Sequence, residues 1–201
     1  MSGQEKSSLY RLPVQNIFII IRCTIPENSS DREKVFWKNK AMKATITDEA
    51  ITILRDLNPW WETGKLRTPA PRYRRRGINA ILQRLTRPTG LIEVLRGPRQ
   101  VGKTTAIEQA VHHLLISGIN PRDIFFIRFD QEVIRESRGG LRPLISWYAD
   151  NVRKRRLEIG TQSYIFLDEI HKLDEWDSEV KDFGDTFPVR ILLTGSSSVL
   201  V

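Results

Sequence analysis

The nine residues Gly97-Pro98-Arg99-Gln100-Val101-Gly102-Lys103-Thr104-Thr105 constrain this 201-residue chain more than any other stretch. They fit the pattern G-x-x-x-x-G-K-[ST] in full. A short, mostly apolar strand, Leu91 to Arg96, stands directly before them. Ala106, Ile107, Ala110, Val111, Leu114 and Leu115 then follow at helical spacing up to Gly118. Strand, glycine-bearing loop and helix in this order make a phosphate cradle. Gly97 and Gly102 permit backbone angles and a close approach that a side chain would block, so that consecutive N–H groups can wrap phosphate oxygens. Lys103 brings a compact charge to β- and γ-phosphates, and Thr104 offers a hydroxyl to Mg²⁺. The helix that begins here adds its positive end. The expected ligands are ATP and Mg²⁺, held by residues 97–105.

A second element is Tyr164-Ile165-Phe166-Leu167-Asp168-Glu169, four apolar residues ending in two carboxylates. Such a strand opens at its C-terminal end into the cleft where α/β sheets bind ligands. Asp168 suits the task of holding Mg²⁺, and Glu169 that of general base toward an attacking water. Val189 to Leu193 forms a third strand, ending in Thr194-Gly195-Ser196, where Thr194 or Ser196 is the candidate polar residue near the γ-phosphate and the water; an ordinary polar turn is the alternative. Asp123 to Phe129 reads as a further strand, Leu141 to Leu157 as a helix, and Trp176, Val180 and Phe183 as the apolar face of a short helix. The order βαβαβαβ predicts an α/β fold with a parallel sheet covered on both faces.

Charge divides the chain. Residues 1–90 hold 17 basic and 8 acidic residues, and residues 91–201 hold 15 and 16, so the +8 total belongs to the first half. Lys65, Arg67, Arg72, Arg74, Arg75, Arg76, Arg84 and Arg87 lie in one run without an acidic residue. That run could meet DNA or a protein partner, or be the solvated face of the helix marked by Ile78, Ile81, Leu82 and Leu85. Upstream, Ala44 to Leu57 has helical spacing with Thr47 or Asp48 as cap, and Pro59 ends it beside Trp60 and Trp61, which read as apolar anchors. Residues 1–41 read as a loosely attached extension, 42–90 as a basic helical segment packing on the core, and 91–201 as the nucleotide-binding domain. Cys23 is the single cysteine, which excludes an internal disulfide and points to the cytoplasm. The longest apolar run, Ile17 to Ile21, is far below the roughly 20 residues a membrane span requires, so no membrane partner is expected.

Together these motifs resemble the prokaryotic AAA-type P-loop ATPases, archaeal and bacterial proteins with an N-terminal AAA domain and a C-terminal domain of unknown function. Gly97 to Thr105 looks like that family's Walker A motif, Tyr164 to Leu173 its Walker B and Ile191 to Ser198 its sensor, while Asn58 to Glu62 looks like its upstream segment. The resemblance implies a three-layer P-loop sandwich in which the sensor strand separates the Walker A and Walker B strands. It also implies ATP hydrolysis with Lys103, Glu169 and Thr194 as catalytic residues and Thr104 and Asp168 on the metal. Such domains continue into a helical lid, whereas the match here ends at the sensor strand. The expectation is therefore a truncated core, with Ile17 to Ile21 covering the sheet edge. The alternative is a nucleic-acid- or partner-binding fragment that binds nucleotide and hydrolyses it poorly. A small-molecule phosphotransferase fits the adjacent Asp168-Glu169 less well, and a GTPase lacks its Asn-Lys-x-Asp motif. His112 and His113 point about 100° apart on their helix and do not suit one metal. The sequence leaves the oligomeric state open.

Overall fold

The computed structural model describes residues 22–24, 46–71, 77–86, 91–136, 139–157 and 162–196. Its centre is a sheet of strands β1 (Arg22–Thr24), β2 (Leu91–Gly97), β3 (Ile124–Arg128), β4 (Ser163–Asp168) and β5 (Val189–Ser196) in the spatial order β1-β2-β5-β4-β3. The last four are mutually parallel, and the aliphatic and aromatic residues that make up most of each strand are largely buried. β5 lies between the strand that precedes the glycine loop and the strand that ends in Asp168, as the resemblance implied. All the loops at the C-terminal ends of these strands therefore gather on one rim.

At the free edge of β2 the partner is β1, antiparallel, with Cys23 opposite Ile92. The expected edge cover, Ile17 to Ile21, lies outside the described residues; the pairing observed begins at Arg22. Seven α-helices occur among the described residues: α1 (Asp48–Leu57), α2 (Trp60–Thr63), α3 (Ile78–Leu85), α4 (Lys103–Ile116), α5 (Glu132–Arg135), α6 (Leu141–Tyr148) and α7 (Trp176–Thr186). Thr47 caps α1 through its hydroxyl, which accepts from Ala50 N–H. Helix α4 runs two residues past Leu114 and stops as Gly118 turns left-handed at φ 83°.

One predicted helix is shorter than its apolar pattern. Leu141 to Tyr148 is α-helical, but Ala149–Arg153 widens into a π turn and Lys154 ends it at φ 55°. A buried carboxylate explains the change. Asp123 accepts from Arg153 Nε at 2.8 Å and from Arg155 Nη2 at 2.6 Å, and the left-handed Lys154 between them lets both arginines reach it.

The opposite sheet edge, β3, is closed by side chains. Asn58, fully buried just after α1, accepts from Phe126 N–H at 2.7 Å and donates through Nδ2 to Phe126 O at 2.8 Å and Leu54 O at 2.7 Å. The carboxamide thus stands in for one residue of a neighbouring strand. Trp60 and Trp61 both donate Nε1–H to Ile124 O, at 3.1 and 2.8 Å. Trp61 stacks on Tyr148 with ring centroids 5.9 Å apart, so the edge is also tied to α6. The tryptophans are anchors, as their size suggests, with their ring nitrogens serving the backbone as well. Exposed strand edges invite pairing with other chains, and this cover prevents it at Ile124 and Phe126.

Candidate functional site

The glycine loop leaves the end of β2 and runs into α4. Gln100 has φ 62° and Gly102 φ 85°, so the loop turns twice through left-handed backbone, the kind of turn that lets successive N–H groups face one anion. Only glycine adopts this geometry without strain at 102. Lys103 is the first residue of α4 and only 4% exposed, and its Nζ donates to Gly97 O at 3.0 Å and Pro98 O at 2.9 Å. The ammonium therefore sits beneath the loop rather than in solvent.

Thr104 and Asp168, distant in sequence, meet at the rim: Thr104 Oγ1 donates to Asp168 Oδ2 at 2.7 Å. On the other side, Thr194 Oγ1 donates to Asp168 Oδ1 at 2.5 Å and accepts from Glu169 N–H at 3.0 Å. Thr194 is buried, and its hydroxyl holds both members of the acid pair. Ser196 closes β5 opposite Gly97, at the same rim. Glu169 itself has φ 54°, a left-handed turn uncommon for a residue with a side chain. That turn directs its carboxylate back to the loop, 3.7 Å from Lys103 Nζ.

Three residues to which the sequence assigns no role join this group. His171 Nε2 lies 3.6 Å from Glu169 Oε2. Burial pushes the His171 imidazole below its usual range; the Glu169 charge opposes this, and Lys172, Lys103 and Arg99 add to it. Arg128, at the end of β3, pairs with Asp130 at 2.6 Å and brings Nε within 3.9 Å of Asp168 Oδ2. Glu108, one helical turn after Thr104, has its carboxyl raised by burial; Arg128 counters this and Asp168 reinforces it. The signal for Arg128 was present in the sequence, since the C-terminal ends of parallel strands form the ligand cleft and β3 ends there.

The donor set fits magnesium nucleotide. A hydroxyl and a carboxylate oxygen side by side suit a hard cation that shares its remaining positions with water and phosphate. Consecutive loop amides, one ammonium and a helix N-terminus suit the phosphates.

A family model described as an AAA domain matches residues 90–201, more than half of the chain. The chain belongs to the AAA domain family. It is thus an AAA-type nucleotide-binding module, and its parallel sheet and glycine loop are those of a P-loop fold. Searches of curated proteins and of solved structures gave no significant match. Within the basic run upstream of this AAA domain, Arg67 pairs with Asp56 at 3.0 Å and Arg84 with the buried Glu93 at 3.4 Å. Those two charges are engaged within the chain; residues 72–76 and Arg87 lie outside the described residues. No helix among the described residues is long and apolar enough to cross a membrane.

Proposed function

We propose that this AAA domain binds ATP with Mg²⁺ and hydrolyses its terminal phosphoanhydride bond. One observation carries the reading: the Thr104–Asp168 hydrogen bond joins the phosphate loop's helix to the acidic strand, with Glu169 facing Lys103 beside it. In this reading residues 97–105 cradle the phosphates, with backbone N–H groups from Arg99 onward as donors, and Lys103 exchanges the carbonyls of Gly97 and Pro98 for β- and γ-phosphate oxygens. Thr104 and Asp168 would hold Mg²⁺, which when bound supplies positive charge against the charge developing on the phosphate oxygens. Glu169 accepts the proton of the attacking water as the water's oxygen bonds to phosphorus and the bond to the ADP oxygen breaks. Thr194 contributes by fixing Asp168 and Glu169 relative to each other. A single cysteine, Cys23, suits a reducing compartment, and we place the module in the cytoplasm.

Metal removal tests the reading. Purified protein should release phosphate from ATP with Mg²⁺, lose that activity in excess chelator and regain it when Mg²⁺ is restored. Phosphate release that is absent with Mg²⁺, or unchanged by the chelator, would overturn it.

A further inference from the structure

Glu169 is approached on both carboxylate oxygens. Oε1 lies 3.7 Å from Lys103 Nζ, and Oε2 lies 3.6 Å from His171 Nε2. The two neighbours differ in what else holds them. Lys103 is held by the carbonyls of Gly97 and Pro98, and the proposed phosphate binding would draw its charge off the carboxylate. His171 belongs to the short 3-10 turn Ile170–Lys172 that leaves Glu169, and its side chain is only 9% exposed. Its ring is therefore largely enclosed by the protein beside Oε2.

We infer that His171 is a positioning residue for Glu169: it donates from Nε2 to Oε2 and leaves Oε1 turned toward the nucleotide loop to accept the water's proton. Burial favours the neutral imidazole, and a neutral ring protonated on Nε2 can still donate to a carboxylate. The separation of 3.6 Å exceeds hydrogen-bond length. Contacts of this kind commonly tighten only when substrate completes the site. Rotation about the Glu169 side-chain bonds can bring Oε2 toward Nε2 while the backbone, left-handed and bonded through its N–H to Thr194, stays in place. The contact deepens the hydrolase reading and rests on it.

The experiment compares wild type, His171→Ala, His171→Gln and Glu169→Gln for ATP turnover and for affinity toward a non-hydrolysable Mg-ATP analogue. The glutamine amide nitrogen reaches the place of imidazole Nε2, so His171→Gln retains the donor. His171→Ala should lower kcat on the order of 10- to 100-fold, the usual cost of a misplaced reacting group, with analogue affinity unchanged. His171→Gln should recover most of that loss. A wild-type kcat in His171→Ala, or equal losses in the alanine and glutamine variants, would overturn the assignment. Equal turnover in wild type and Glu169→Gln would instead contradict the hydrolase reading. The contact is also read without turnover, through the His171 imidazole resonances in the analogue complex. They should shift on Glu169→Gln, and resonances that stay in place would overturn the contact.

Discussion

Replacing Lys103 by alanine should weaken Mg-ATP binding by about 100-fold or more, with a smaller loss of thermal stability. The expected loss follows from what the ammonium does in the site. It is almost fully buried below the loop, and its two hydrogen bonds go to carbonyls that phosphate oxygens can replace. Charge-assisted contacts to a phosphate in such a place contribute about 1.5–3 kcal/mol each, and Lys103 can make two. Removing the cation also brings Glu169 and the phosphates together without the charge that separates them. The Gly97 carbonyl loses a buried donor at the same time, so a stability loss of about 1–3 kcal/mol should accompany the weaker binding. Isothermal titration with an ATP analogue, next to thermal unfolding of both proteins, checks both halves. An alanine variant that binds as tightly as wild type would remove the lysine from the phosphate site.

Asn58→Ala should cost about 3–5 kcal/mol, a large share of the roughly 5–15 kcal/mol that holds a domain folded. The buried carboxamide satisfies Phe126 N–H and Phe126 O on the outer edge of β3, and Leu54 O at the end of α1. Alanine leaves these groups out of reach of water and unpaired, at about 1–3 kcal/mol each. Asn58→Leu, which restores volume but no hydrogen bond, should be no better. Chemical denaturation of the three proteins separates the two causes. Recovery in the leucine variant would show that volume, and not edge pairing, is what Asn58 provides.

The sequence made the phosphate loop and the acid pair readable because both are local: each needs a few residue types at fixed spacing beside a recognisable strand. It also made Trp60 and Trp61 readable as anchors, since burial follows from their size. Asn58 was legible only as the start of the segment Asn58 to Glu62, just before the proline that ends a helix. Its partner, Phe126, is 68 residues away, and no local pattern marks a carboxamide that will complete a distant strand edge. The helix expected through Leu157 failed for a similar reason. Its apolar spacing continued, but the buried Asp123 drew Arg153 and Arg155 and broke the helix at Lys154. His171 stayed hidden because its contact depends on the left-handed backbone at Glu169, which only the assembled rim imposes. Thr194 or Ser196 was expected near the γ-phosphate; the structure adds that the Thr194 hydroxyl is bonded to the acid pair.

The central claim is that Glu169 accepts the water's proton at a Mg-ATP site built by residues 97–105. Glu169→Gln keeps the shape of the side chain and removes its basicity. Turnover and analogue affinity measured on wild type and this variant should diverge, with kcat falling by about 10²- to 10⁴-fold and affinity preserved. Equal turnover in the two proteins would contradict the account.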